Sequence, residues 1–559
     1  MDTDKILTVD DDKQQIPNPD FTSIQAAINA ATGGTETTDG DTISVAEGDY
    51  NENLVVDKKL TIESSGATAD TTINAADSSD YVVKITADGV TLDGFTITGL
   101  ANGDENQAAV ITWGVDNCTI TNNILTDNYK DAINLYSIDG AYSDYNTVSN
   151  NVINGPNGVG ETFGIKIKGS HNTISNNEIY NADTSIHIWS WDASETASPD
   201  YNIISGNTIA QGESGTANHK YGITLKTGRY NEVTGNTISV TRAGIHLYTS
   251  DRMETEADFD PRPANNIING NIITGGEVGI VLLEGTNTNT ISGNTISGTT
   301  IAGILGSLSR WPEDWSDSPS AYLIGTPQQY LQITGNTFTD NTLDNCGHGI
   351  AMEYADNNII GQSDRGNTIK NNADTTAIDY HGVSFAADYA GIYFDANSES
   401  NVVNYNSIVD NTGSLKSDNN LDATNNWWGS DDPKFDELVT GDVDTDPWWT
   451  TQTGDPSKKM EITVNDIYSN ETLPTLTWNV TAVPSGTYEL EFKKSAKVAK
   501  EIVRIILKFG FPGEIDLLNV NFPQSITKDT KVMLTRLARS SFKPAVITRS
   551  DPRGRPYYW

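Results

Sequence analysis

Apolar and polar residues alternate in two short phrases that take turns along nearly three hundred residues of this chain. The first is NTISGNTI at 289–296, with variants at 146–153, 172–179, 202–209, 231–238 and 266–273. The second is Gly-Ile-x-apolar, as in Gly164-Ile165-Lys166-Ile167, Gly222-Ile223-Thr224-Leu225, Gly244-Ile245-His246-Leu247 and Gly279-Ile280-Val281-Leu282. Alternation with period two is strand periodicity with one face buried. Taking the second Asn of each phrase as an anchor (123, 151, 177, 207, 236, 271, 294, 336, 372, 406) gives steps of 28, 26, 30, 29, 35, 23, 42, 36 and 34 residues. Such a spacing, constant in motif and elastic in length, describes stacked coils with insertions at fixed corners. The shortest step leaves room for about three short strands. The predicted fold is therefore all-β, a parallel β-helix of about ten coils. The Asn anchors fit its tight corners, because Asn and Gly tolerate left-handed backbone angles, and their side chains can form a hydrogen-bonded ladder.

The ends need covers. Apolar residues at 21, 24, 27, 28 and 31 follow helical spacing and predict a capping helix within a 1–41 opening segment. At the far side, Asn425-Asn426-Trp427-Trp428-Gly429 and Trp448-Trp449 break the repeat with bulky rings and close a β-helix spanning 42–450. The opening ILTVDDD, the FTSIQAAINAA helix, the NTISxNxI coils and the NNWWGSDDPKF close resemble the NosD-like, carbohydrate-binding and sugar-hydrolase type of right-handed β-helix protein, over roughly residues 5–450. That resemblance implies right-handed coils and export to the cell surface or the extracellular space. It also implies a glycan as partner. It does not carry copper here, for no His/Met/Cys cluster accompanies it.

Composition sharpens the picture. The chain of 559 residues has 75 acidic and 35 basic residues, a net charge of −40. Such a surface repels nucleic acid and anionic membranes. No stretch is long enough to span a membrane, and the opening Met1-Asp2-Thr3-Asp4 is no signal peptide. The two cysteines, Cys118 and Cys346, lie in distant coils and read as buried thiols.

Against this acidic background one stripe stands apart. The x residue of the Gly-Ile phrase and the residue two further on point out of the coil. Coil by coil they read Asn134 and Tyr136, Lys166 and Lys168, His187 and Trp189, Thr224 and Lys226, His246 and Tyr248, then after an apolar coil Glu353, and finally Tyr393 and Asp395. Insertions beside the stripe add Trp191, Arg252, Arg262, Arg310, Trp311 and Trp315. Loops flanking a strand face build a groove, rings stack on sugars, and cations meet uronate or sulfate. The expected ligand is a linear, anionic polysaccharide. Lys166, Lys168, His187, Lys226 and His246 are the candidate catalytic groups of a lyase or epimerase, which takes the proton beside a uronate carboxylate. Tyr136, Trp189, Trp191, Tyr248, Arg252, Arg310, Trp311, Trp315 and Glu353 are the candidate substrate contacts. A hydrolase needs two neighbouring carboxylates, and Glu353 and Asp395 read as belonging to distant coils. Asp442, Asp444 and Asp446 alternate along one strand face as a candidate Ca2+ site, and Asp10, Asp11 and Asp12 form a second acidic group. A solvated terminal turn explains both. A purely structural adhesin remains the competing reading of the whole stripe.

After Pro456 the composition shifts. Residues 451–493 read as a linker or partial β-sandwich. Residues 494–559 carry 13 Lys/Arg against 5 Asp/Glu, with a helical apolar spacing at 499, 502, 503, 506 and 509. Together with LLNVNFP at 517–523 and the RSDPRGRPYYW run at 549–559, they resemble the C-terminal part of SurE-type survival-protein nucleotidases, metal-dependent phosphatases of nucleoside monophosphates. That resemblance implies a small α/β fragment. The family's Asn-Asp-Asp-Gly metal-binding phrase does not occur in this chain, which predicts no phosphatase activity.

Overall fold

The computed structural model describes residues 5–35, 39–101, 107–138, 140–155, 162–189, 199–210, 220–248, 262–283, 285–307, 332–373, 390–430, 432–446 and 448–449, with strand backbones at 379–380, 383–384, 462–465, 475–478, 548–550 and 556–558. The repeat folds as a right-handed parallel β-helix. A middle coil lays down a six-residue strand and two three-residue strands, as in Tyr221–Lys226, Glu232–Thr234 and Thr237–Ser239. Each strand pairs in parallel with its equivalent one coil on: Ile223 with Ile245, Val233 with Ile268, Ile238 with Ile273. The third-strand sheet has 13 strands, more than the ten coils expected. The extra coils lie at the start, where third strands at Gly48–Asn51, Thr71–Asn74 and Thr96–Thr98 carry no Asn phrase to count.

The interior is a column of Ile, Val and Leu, almost all fully buried. Two Asn ladders run through it, one on each side of the second strand. Asn207 is typical. Its Nδ2 donates to Asn236 Oδ1 and to the Ile174 carbonyl, both at 2.9 Å, and its Oδ1 accepts from the N–H and Nδ2 of Asn177. Every polar atom of the amide is used, which is the condition for burying it. The left-handed angles fall instead on the preceding residue: Asn122, Asn150, Asn176, Gly206 and Gly235 all have positive φ. Corner and ladder, expected on one Asn, are thus divided between neighbours.

The ladders also correct the anchor series. The ladder through Asn294 continues to Asn341, Asn367, Asn406 and Asn426. Asn336 belongs to the other ladder, between Asn289 and Asn358, and Asn372 to a short third one between Cys346 and Asn411. The three ladders share the same local chemistry, so spacing alone could not assign them. Both cysteines are buried free thiols at ladder positions.

Glycine in the Gly-Ile phrase has a packing cause. A Cβ on Gly222 would stand 2.4 Å from the Gly244 carbonyl oxygen and 2.7 Å from Ile238 Cγ2. The position faces the core across from the third strand, so the residue before it turns outward on the same side as x.

The capping helix spans Ile24–Ala30, with Ile24, Ala27 and Ile28 buried; Ser23 caps it, its Oγ accepting from Ala26 N–H. Phe21 falls outside it because it bridges to Val9. At the other end Trp428 is buried edge-on to Phe435, which meets Trp448 in the same way. No helix among the described residues is long and apolar enough to cross a membrane.

The chain divides into two compact units, residues 1–459 with 480–484, and 460–479 with 485–559. In the second, Ile462–Asn465 pairs antiparallel with Thr475–Trp478, and Thr548–Ser550 with Pro556–Tyr558. The helix expected around 499–509 lies outside the described residues.

Candidate functional site

The long strands present three outward columns. In the middle column Lys84, Ile111, Asn134, Lys166, His187, Thr224, His246 and Val281 follow one another in strict register. The column beside it holds Trp113 and Tyr136, Lys168, then Trp189, Lys226 and Tyr248. The column before the small residue (Ala132, Gly164, Ser185 and Gly222) holds Asp131, Phe163, Thr184 and Tyr221.

The stripe read from the sequence is therefore real as a row of neighbours. It is not an open groove. Lys166 is 6 % exposed, His187 7 %, Lys226 8 % and His246 1 %. Tyr136 and Tyr248 are half-buried, and so are Lys84 and Trp113 at the N-terminal end. Further along, Val281, Leu283, Leu305 and Ala351 form a second, outward apolar cluster that is also buried. Trp191, Arg252, Arg310, Trp311 and Trp315 lie outside the described residues.

The centre is built around Lys166 and His187. Lys166 Nζ lies 3.7 Å from Asp131 Oδ2, 4.9 Å from the Phe163 ring centroid and 4.5 Å from that of Trp189. A buried ammonium needs such partners, an anion and ring faces. Asn134 Nδ2 donates to Asp131 at 3.1 Å, while its Oδ1 is buried without a hydrogen bond. Burial pushes the Asp131 carboxyl up to about 6, with Lys166 and Lys130 pulling the other way. The His187 ring stacks on Phe163 at 4.7 Å and bonds through Nδ1 to Thr224 Oγ1. Burial, and after it Lys166, Lys226 and His246, hold its pKa well below 6.5, so the imidazole is neutral at pH 7. Lys168 Nζ stands 5.0 Å from the Tyr136 centroid and 5.3 Å from that of Trp189; Lys226 Nζ is 5.9 Å from that of Tyr248, on which His246 stacks at 4.6 Å.

The acids at the C-terminal end overturn one expectation. The strand His348–Met352 pairs directly with Ile392–Phe394, Met352 opposite Phe394, so Glu353 and Asp395 sit on consecutive coils. The residues between them hold the remaining strands of that coil, Ala355–Asp356, Ile359–Ile360 and Thr368–Lys370, and extra chain that lengthens it, which made the two acids look distant. Asp395 accepts from Tyr354 N–H, Asn397 Nδ2 and Ser398 Oγ at 3.0, 2.7 and 2.6 Å. Glu353 receives only a 3.4 Å contact from Ser307 Oγ, and burial together with the Asp395 charge pushes it up to about 7.

Asp442, Asp444 and Asp446 are not brought together. Two lie on the exposed last strand Val439–Asp444, where alternate residues stand roughly 6.6 Å apart, and Asp446 N–H donates to Asp444 Oδ1. Among the described residues the grouped acids are Asp10, Asp11 and Asp12. Asp10 there accepts four backbone N–H bonds, from residues 12, 13, 15 and 16, the signature of a structural turn.

Sequence reading missed Phe163 and Tyr221, which precede the Gly-Ile phrase, and Asp131, which precedes Ala132-Ile133 at the same place in its coil. Their signal is the small core-facing residue, which turns its predecessor outward. It also missed Tyr81, Lys84 and Trp113, whose coils lack the phrase altogether.

Comparison with known proteins agrees with this architecture. Residues 162–310 match the family described as the right handed beta helix region. Similar solved structures include an alginate lyase from Paenibacillus sp. str. FPU-7 (14% identity, 62% of this chain and 97% of that one, TM-score 0.35). The tailspike protein of E. coli bacteriophage HK620, in complex with a pentasaccharide, is also similar (12%, 76% of each chain, 0.44). These are likenesses of fold. Short stretches match curated 5'-nucleotidase SurE proteins. That of Methanosarcina mazei is 52% identical over 68 residues, 12% of this chain and 26% of its own length. That of Methanosarcina barkeri is 43% identical over 76 residues, 14% and 28%. The chain spans about a quarter of the length of these relatives.

Proposed function

We propose that the β-helix binds a linear, uronate-containing polysaccharide along the outward face of its long strands, and cleaves it by β-elimination at His187. The observation that carries this reading is the set of three lysines standing over aromatic rings, Lys166 and Lys168 on one coil and Lys226 two coils on, with a neutral imidazole on the coil between them. The polymer enters past the half-buried rings of Tyr136 and Tyr248. Lys166 faces the uronate carboxylate and stabilises the charge that spreads onto it. His187 takes the proton beside that carboxylate. The electron pair of the broken C–H bond forms the C=C bond, the glycosidic C–O bond breaks with its pair on the leaving sugar oxygen, and that oxygen takes up the proton from the His187 imidazolium. Incubation with polyuronate, followed by ultraviolet absorbance of unsaturated ends, tests this. Product is expected from the wild type and at least a hundredfold less from His187→Ala. Retention of polyuronate on the protein without product would leave a binding protein and remove the lyase. Neither retention nor product would remove both.

A second reading rests on Glu353 and Asp395. Two carboxylates on consecutive coils, Asp395 accepting three hydrogen bonds and Glu353 pushed up to about 7, resemble the general acid and its partner in glycoside hydrolysis. The same digest separates the two readings, since hydrolysis raises reducing ends without the absorbance and is lost in Glu353→Gln. To residues 494–559 we assign no phosphatase step, because the metal-binding phrase of the nucleotidases they resemble does not occur in the sequence.

A further inference from the structure

At the N-terminal end of the same face a group of residues stands apart from the buried centre. Tyr81 leads into the strand Val83–Ile85; Trp113 ends Ala108–Trp113, and Tyr136 ends Asp131–Tyr136 on the next coil. The Trp113 and Tyr136 rings lie 5.2 Å apart at 42°, and Tyr81 meets Trp113 edge-on at 5.9 Å. All three are half-buried. Lys84 Nζ stands 4.1 Å from the Trp113 centroid and 5.4 Å from that of Tyr81. In a chain with 75 carboxylates, this lysine is placed on rings and, among the described residues, pairs with none of them. Its charge stands beside an aromatic shelf.

We infer that Tyr81, Lys84, Trp113 and Tyr136 form a further subsite that holds an acidic sugar of the polymer at the N-terminal end of the face, one to three coils before Lys166. The inference rests on the reading that this face binds an anionic glycan. Three physical features point to that occupant. Partly exposed rings side by side take the C–H face of a sugar, and an ammonium next to them takes its carboxylate. A local cation in a chain of −40 selects an anion. Finally, Tyr136 also carries Lys168 over its ring, so the shelf runs without a break into the row that leads to Lys166. The subsite touches no reacting atom. Its effect is on affinity and chain-length preference, with the chemistry left to the buried centre.

Calorimetric titration with short and long oligogalacturonates, and with neutral cello-oligosaccharides of equal length, tests the proposal on the full chain. Trp113→Ala is expected to weaken long oligogalacturonates about tenfold, a typical cost for a lost ring contact with its cation, while short ones that fill only the centre keep their affinity. Lys84→Met, which keeps the packing on the rings, is expected to remove the preference for acidic over neutral long oligomers. Both positions are half-exposed, and unchanged thermal unfolding confirms that the fold survives. If both variants bind every oligomer as the wild type does while Lys166→Met does not, the shelf is no subsite although the face still binds glycan. If the wild type binds no oligogalacturonate of any length, the subsite and the reading beneath it fall together.

Discussion

Inside the coils, equivalent positions hold the same residue: Asn177, Asn207, Asn236 and Asn271 bond to one another rung after rung. Outside, on those same coils, equivalent positions hold Lys166, His187, Thr224 and His246, which share only their register. The difference follows from what each side has to satisfy. A buried amide in an apolar column finds its side-chain partner in a copy of itself one coil away, beside a main-chain carbonyl, so repetition is enforced. An outward side chain is under no such rule, and its identity is free to serve a ligand. Repetition therefore marks scaffold, and departure from repetition marks chemistry.

The sharpest way to break the comparison is to remove a rung. Asn207→Ala strips the acceptor from two donors of Asn177 and leaves them buried. A loss of about 3 kcal/mol in stability is expected by denaturant titration. A loss within 0.5 kcal/mol, the size of an ordinary surface change, would show that the ladder is ornament. A smaller effect is expected at the acid pair, seen through pH. The folded chain raises Glu353 from its ordinary 4.5 to about 7. The proton is therefore held more tightly in the folded state. The stability this provides is fully present below pH 4.5 and is lost as pH rises through 7. Glu353→Gln should flatten that part of the stability profile, and an unchanged slope would place the titration elsewhere.

The smallest effect concerns a third row, at the corners. Tyr145, His171, Tyr201 and Tyr230 stack with centroids 4.7, 5.0 and 5.0 Å apart, all at positive φ. A bulky residue there carries a backbone cost of roughly 1–2 kcal/mol, and each ring contact returns about 0.5–1.5 kcal/mol. The two nearly cancel, so Tyr201→Asn is expected to change stability by about 1 kcal/mol or less in thermal unfolding. A much larger loss would make this exposed row part of the scaffold rather than an exception to it.

How far the sequence could be read differs along the same line. The Asn phrase declared the coil, the first six steps between rungs matched the ladder, and the lid and aromatic close were visible in spacing and bulk. The stripe of Asn134, Lys166, His187, Thr224 and His246 was legible too, since alternation fixes which side chains leave the coil. The ladders beyond Asn294 were not, because Asn336, Asn341 and Asn372 look alike locally and only pairing across coils tells them apart. The first coils carried no phrase, which hid Lys84 and Trp113.

By itself, then, the sequence determined the period, the buried face and the row of outward residues, all of which depend on local alternation and on chemistry that repeats. Tertiary structure alone decided which coil follows which across an insertion. That placed Glu353 against Asp395, set Asp131 beside Lys166, and buried a stripe that reads as open. Contacts between coils depend on loop lengths and on what lies beside each face, and neither is written in the residues that touch.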